Sequence, residues 1–193
     1  AGQPGLLRGC SHVVALHRAG DQGFQLCVSG LEHPEKGVHQ PGIPAAVAPI
    51  HPGRLDDGLG PALAEAVAAL GLPGVTVDSD YQLTVEDAAA AAENDVVIFA
   101  DASVNGEEPF FFREIVAEGT LGFSSHSVDP EAVLAMAVDL FGAKTKGYAL
   151  GIRGYQFDEF GERLSDKARE NLSKACEFIV PILRAGLGMV DGM

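Results

Sequence analysis

The sequence lacks the features that mark disulfide-rich and membrane proteins. It has no Trp and only three Cys, too few for a disulfide scaffold. No apolar run approaches the roughly 20 residues of a membrane-spanning helix. No basic segment followed by an apolar core marks a signal peptide. We therefore expect a cytoplasmic protein with no membrane partner.

Basic residues are also scarce. Thirteen Lys and Arg stand against 27 Asp and Glu, which gives a net charge of -14. A nucleic-acid-binding protein normally presents a basic face, so nucleic acid is excluded as the expected partner. The 193 residues are 47% hydrophobic and 21% charged, which is typical of a globular chain that buries a sizeable core.

Charge and residue pattern divide the chain into three parts. Residues 1–40 hold three basic and three acidic residues, so residues 41–193 carry the whole net charge. The first 40 residues show no helical period, although 13–16 and 24–28 are candidate short strands. The chain begins at Ala1 and has no Met before Met136. We predict an N-terminal extension of unknown structure, non-native or disordered, then one domain, then a C-terminal tail. Their bounds are 1–43, 44–185 and 186–193.

Apolar strands and amphipathic helices alternate from residue 43 onward. The predicted strands are 43–50, 74–78, 95–100, 110–116 and 146–152. The predicted helices are 58–70, 84–94 with Thr84 as N-cap, 129–141, and a last helix that Ser165 caps and that ends near 184. This alternation predicts an α/β three-layer sandwich. We expect a mostly parallel sheet of about five strands with helices on both faces.

Polar residues that follow the strands are candidates for chemistry, because ligands of such sheets bind beyond the carboxyl ends of the strands. Asp56 and Asp57 follow the first predicted strand, Asp78 the second and Asp101 the third, and His126 precedes the third helix. Carboxylates gathered at one edge repel each other, and a bound cation offsets that cost. Carboxylate oxygens with an imidazole nitrogen suit Ni²⁺ or Zn²⁺.

Each of these residues also has a structural interpretation. In that interpretation Asp56 or Asp57 caps the helix that follows. Asp78 is then a turn residue, Asp101 a polar loop residue after an apolar strand, and His126 an exposed loop residue. The residues alone leave the ligand set open between these interpretations.

Three motifs in order resemble the hydrogenase maturation endopeptidases. They are Pro52-Gly53-Arg54-Leu55-Asp56-Asp57-Gly58-Leu59-Gly60, Ile98-Phe99-Ala100-Asp101-Ala102 and Ser125-His126. The stretch from Asp80 to Leu83 is also similar to part of that family. The resemblance covers residues 44–185, whereas residues 1–43 match nothing in it. The family's Gly-Asn before the first motif is replaced here by Ile50-His51.

The resemblance implies an endopeptidase that removes the C-terminal extension of the nickel–iron hydrogenase large-subunit precursor after nickel insertion. It implies that Asp57, Asp101 and His126 bind the metal and mediate catalysis. We expect a free carboxylate, Asp56 or Asp78, to act as the general base. The divalent metal would be nickel carried by the substrate, with zinc or cadmium able to substitute. The partner would be the nickel-loaded precursor, and we expect the enzyme to be a monomer.

Other classes of protein compete with this interpretation. A phospho-acceptor receiver domain also has an acidic pair after its first strand and an Asp after its third, and binds Mg²⁺. It needs a Lys beyond the last strand, where this chain has Gly151-Ile152-Arg153-Gly154. A dinucleotide-binding module is disfavoured because no Gly-x-Gly-x-x-Gly follows the first strand. A structural or adaptor role is the remaining alternative.

Overall fold

The computed structural model describes residues 55–79, 83–117, 128–158 and 163–185, together with the backbone of residues 12–16. The strands are β1 (His12–Leu16), β2 (Val75–Ser79), β3 (Val96–Ser103), β4 (Phe110–Ile115) and β5 (Lys146–Arg153). The helices are α1 (Leu59–Ala68), α2 (Glu86–Ala92), α3 (Pro130–Phe141) and α4 (Asp166–Ala185), and a 3-10 turn (Leu55–Gly58) leads into α1.

The described strands form one mixed sheet in the order β2-β1-β3-β5-β4. Only β3 and β5 are parallel neighbours, and the other three adjacent pairs are antiparallel. The prediction of a mostly parallel sheet is therefore wrong for these strands. A parallel neighbour needs a crossover of a dozen or more residues. The connection from β3 to β4 is residues 104–109, too short for a crossover helix, and β4 runs antiparallel at the far side of β5.

The N-terminal part of the chain contributes a strand to this sheet. The short strand expected at 13–16 is present as β1, which pairs with β2 on one side and β3 on the other. Part of the segment predicted to be an extension thus lies in the middle of the sheet. The first strand predicted at 43–50 lies outside the described residues, and so does the stretch at 24–28.

Helices cover both faces of the sheet, as the alternation predicts. One buried cluster joins α1 and α4 to alternate residues of β3 and β5, among them Ile98 and Leu150. A second joins α2 and α3 to the intervening residues, among them Phe99 and Ala149. Side chains of a strand alternate between faces, so β3 must be apolar at nearly every position to serve two clusters. Its residues are all buried.

Helix ends follow local hydrogen-bonding chemistry. Ser165 precedes α4, and its Oγ accepts the Ala168 N–H at 3.3 Å, which confirms the predicted cap. Thr84 is not the N-cap of α2, because that helix begins after Val85. Instead Asp87 Oδ2 accepts hydrogen bonds from Thr84 N at 2.6 Å and Thr84 Oγ1 at 3.0 Å. Among the described helices, none combines the length and apolar character that crossing a membrane requires.

Candidate functional site

The candidate site lies at the carboxyl edge of β3 and β5. In the parallel pairing of these strands Asp101 is level with Gly151 and Ser103 with Arg153. Strand β2 runs in the same direction as β3, because β1 is antiparallel to both. The carboxyl ends of three strands therefore share this edge, which is where α/β sheets bind ligands.

Asp101 is a fully buried carboxylate of β3. It lies inside the strand, two residues before its end, rather than after it as the sequence indicates. Its Oδ1 accepts a hydrogen bond from the Ala102 N–H at 2.7 Å. Burying a charge is costly unless the surroundings compensate it. A fully buried acid within a core strand is therefore a candidate for a functional role.

Asp56 is also fully buried, but its carboxylate accepts hydrogen bonds that join two parts of the chain. Its Oδ2 accepts the N–H groups of Tyr155 and Gln156 at 2.8 and 2.9 Å and the Ser165 hydroxyl at 2.8 Å. Its Oδ1 accepts the Ser165 N–H at 2.8 Å. The N-cap residue of α1 is Gly58, and the Asp56 carboxylate binds residues 155, 156 and 165 instead, so the alternative that Asp56 caps this helix is wrong. Through these hydrogen bonds, Asp56 anchors the 3-10 turn to the connection between β5 and α4.

Close backbone contact at Gly154 reinforces this attachment. A Cβ placed on Gly154 would lie 2.6 Å from Phe157 Cζ and 2.9 Å from Asp56 Cβ, so only glycine fits there. The Gly154 N–H donates to the Ser103 carbonyl oxygen at 3.0 Å. One short segment therefore touches both the turn and the end of β3.

Asp57 follows the anchored residue and is half-buried. The 3-10 turn that carries it packs against β3 as well as against α1. Asp57 and Asp101 are thus carried by two neighbouring segments whose relative position Asp56 and Gly154 hold. Asp57 is half-buried, whereas Asp101 is fully buried.

Asp78 lies further from this pair. It is exposed on β2, level with Phe99, and two strand spacings separate it from β3. With strands about 4.8 Å apart and residues about 3.3 Å apart, its Cα is about 12 Å from that of Asp101. The two carboxylates are therefore too far apart to share one metal ion as direct ligands.

His126 lies outside the described residues. The described chain resumes at Val128, which packs on the second cluster. Thr145 Oγ1 donates to the carbonyl oxygens of Ala91 and Asn94 at 3.0 and 2.9 Å, which places the region after α3 beside the start of β3. Helix α3 therefore runs opposite to β5 and begins on the side of the carboxyl edge.

A metal site built only from described residues is absent. Within the ranges that the structure describes, no three His, Cys, Asp or Glu residues are placed to hold one metal ion. Two of the three predicted ligands, Asp57 and Asp101, belong to those ranges and lie on neighbouring segments. The complete set with His126 stays a prediction.

A charged cluster beside the site was not predicted from the sequence. Lys167 Nζ of α4 lies 2.9 Å from Glu108 Oε1 and 4.2 Å from the centre of the Tyr155 ring. The hydrogen bond between Glu108 and Lys167 lowers the pKa of the carboxyl group and raises the pKa of the ammonium group. These residues are far apart in the chain, and no spacing in the sequence indicates that they meet.

Hydrogenase maturation proteases are among the solved structures with a similar fold. The NiFe hydrogenase maturation protease HycI from Thermococcus kodakarensis KOD1 aligns with a TM-score of 0.53 and 24% identity over 68% of this chain and 85% of that chain. The hydrogenase maturating endopeptidase HybD from E. coli aligns with a TM-score of 0.49 and 22% identity over 68% of this chain and 86% of that chain. No protein-family model and no curated protein matches the sequence. The likeness to HycI shows a shared fold.

Proposed function

We propose that this protein is an endopeptidase that removes the C-terminal extension of a nickel–iron hydrogenase large-subunit precursor. The observation that carries the proposal is the fully buried carboxylate of Asp101 at the carboxyl edge of β3, beside the turn that holds Asp57. The fold shared with HycI supports it. The three sequence motifs that resemble the maturation endopeptidases point to the same class of protease.

In this proposal the nickel ion is part of the substrate. Asp57, Asp101 and His126 bind the nickel that the precursor carries, and a precursor without nickel makes no such contact. Specificity then depends on a bond that the unfinished substrate cannot form. A metal ion held there polarises the scissile carbonyl group or lowers the pKa of a water molecule, and zinc or cadmium would substitute.

The two remaining acids have different roles. The Asp56 carboxylate already accepts four hydrogen bonds from Tyr155, Gln156 and Ser165, so we assign it to positioning Asp57. Asp78 is exposed and stays the candidate base, acting on water or on the peptide rather than on the metal. We place this reaction in the cytoplasm and expect a monomeric enzyme.

The receiver-domain alternative is less compatible with the topology. Receiver-like doubly wound sheets have the strand order 2-1-3-4-5. Here β5 lies between β3 and β4, and β4 is antiparallel to it. A Mg²⁺-dependent phosphoryl transfer is the reaction to test if peptide cleavage is absent.

Intact-mass analysis of a nickel-loaded large-subunit precursor from the same organism tests the proposal. We expect loss of a C-terminal peptide with the wild-type protein, and no loss from a metal-free precursor. Asp101→Asn keeps the volume of the side chain but removes its charge, and we expect at least a 100-fold loss of rate. Asp139→Asn on the exposed side of α3 is the matched control and should cleave at the wild-type rate.

Two outcomes contradict the proposal. The first is an uncleaved, nickel-loaded precursor with a folded wild-type protein. The second is an Asp101→Asn variant that cleaves as fast as the wild type, since the site would then lie elsewhere.

A further inference from the structure

Arg153 lies next to the candidate site, at the end of β5. It is level with Ser103, two residues beyond the position level with Asp101. Residues two apart in a strand share a face, so Arg153 and Asp101 lie on the same face of the sheet. From the strand spacing and rise, their Cα atoms are about 8 Å apart. An extended Arg side chain covers that distance.

The guanidinium group of Arg153 is held in place, and no acid of the described ranges is paired with it. Its Nη1 donates to the Gly106 carbonyl oxygen at 3.2 Å, and its Cζ lies 5.4 Å from the centre of the Tyr155 ring. Its Nε is buried and donates no hydrogen bond. Among the described residues no carboxylate forms an ion pair with it, whereas the nearby Lys167 is paired with Glu108.

This arrangement is complementary to a carboxylate. A fixed guanidinium with spare donors binds carboxylate oxygens with matched geometry. Because one nitrogen and the ring of Tyr155 already orient the group, little side-chain freedom is lost on binding.

We propose that Arg153 binds a carboxylate of the peptide that occupies the site, and so selects an extension with an anionic group near the scissile bond. This inference rests on the proposed function and deepens it. The carboxylate comes from an acidic side chain of the extension or from its C-terminus. Either carboxylate would form the same bond to Arg153, and the altered substrates described below distinguish the two.

Cleavage kinetics with Arg153→Gln test the inference. With the nickel-loaded precursor we expect KM to rise about 10- to 100-fold and kcat to change far less, since a bond to a charged group is lost. Arg153→Lys keeps the charge without the planar fork and should recover part of the loss. Thermal unfolding of each variant checks that the fold is intact.

Altered substrates identify the group that Arg153 binds. One precursor has the acidic side chains of its extension changed to amides, and another has its C-terminal carboxylate amidated. We expect the substrate that lacks the contacting group to show a raised KM with the wild type and no further rise with Arg153→Gln. If, for both altered substrates, Arg153→Gln raises KM by the same factor as it does for the unaltered precursor, Arg153 contacts neither group and the inference is overturned.

Arg113→Gln is the matched control. Arg113 is also half-buried, lies over the ring of Phe111 and has a buried Nε without a hydrogen bond. Arg113 lies on β4, level with Ala149 of β5. The Cα atoms of Arg113 and Asp101 are about 12 Å apart. We expect its KM to stay within about twofold of the wild type. Equal effects of the two variants would indicate a general electrostatic role and contradict a specific bond.

Peptide binding separates this inference from the proposed function. A synthetic peptide with the sequence of the extension, as acid and as amide, is titrated into the full chain and into Arg153→Gln. Weaker binding to the variant for the anionic peptide supports the role of Arg153 even without cleavage. Equal binding to both proteins overturns it, whereas absence of cleavage by the wild type overturns the proposed function.

Discussion

Asp56 and Asp57 are adjacent acids with different surroundings. The carboxylate of Asp56 is fully buried and accepts four hydrogen bonds, while Asp57 is half-buried on the same turn. The spacing of the residues alone does not distinguish them, and only the family resemblance selects Asp57 as the ligand. Only the contact with the connection after β5 distinguishes the anchor from the candidate ligand.

Replacing Asp56 should therefore affect stability first. Asp56→Ala leaves three backbone N–H groups and one hydroxyl without their acceptor, and we expect a loss of about 3 kcal/mol or more in the free energy of unfolding. Asp56→Asn should also destabilise, because its amide NH₂ would face donors. Urea denaturation measures both. Glu170→Ala on the exposed side of α4 is the control and should stay within about 0.5 kcal/mol of the wild type. A stable Asp56→Ala variant would contradict the anchoring role.

Cys176 shows the effect of burial on a titratable group. Burial in the α4 core raises the pKa of its thiol to about 11. In a variant with the other two Cys changed to Ser, we expect iodoacetamide at pH 8 to modify the native protein at least about 100-fold more slowly than the unfolded protein. Equal rates in the two states would show that the thiol is accessible.

The same shift has a consequence for stability. A raised pKa in the folded state means that the neutral thiol is favoured by folding, so this contribution is complete below the pKa of the unfolded chain. It falls as pH rises from about 9 towards 11. Replacing Cys176 with Ala should remove that part of the pH dependence, which thermal unfolding at several pH values measures.

At the scale of elements, the position of β1 is the least expected feature. It pairs with both β2 and β3, so it joins the two halves of the sheet. A strand with two neighbours needs its N–H groups for the ladder, and proline removes one of them. The register places Val14 between Val77 and Ile98.

Proline at Val14 should therefore destabilise the protein. We expect Val14→Pro to lower the free energy of unfolding by about 3 kcal/mol, while Val14→Thr, which keeps the branched side chain, has a much smaller effect. Hydrogen exchange at β2 and β3 should accelerate in the proline variant. Unchanged exchange in both strands would mean that another segment occupies this position in the sheet.

The helices and most strands were predictable from local patterns. Continuous apolar runs predict β3 and β5, and the Asp129-Pro130 and Ser165 starts predict α3 and α4. The direction of β4 was not predictable in this way. A strand has the same alternation in both directions, so only its connection and its partner decide whether a pair is parallel.

At the scale of the whole molecule, the two buried clusters on either face of the sheet position the candidate site at its carboxyl edge. The first cluster, with α1 and α4, holds the 3-10 turn against the sheet. The second, with α2 and α3, buries the face on which Asp101 lies. The candidate site thus lies where the two layers of helices meet the ends of the central strands.

The sequence by itself determined the alternation of strands and helices, the acidic composition and the acids at the strand ends. Those properties depend on local spacing, which the chain carries directly. The tertiary structure decided that Asp56 is an anchor, that the sheet is mixed, and that Arg153 lies level with the end of β3 near Asp101. These depend on contacts between residues that are far apart in the sequence, 109 positions in the case of Asp56 and Ser165. No local preference encodes such contacts, because they follow from how the layers pack.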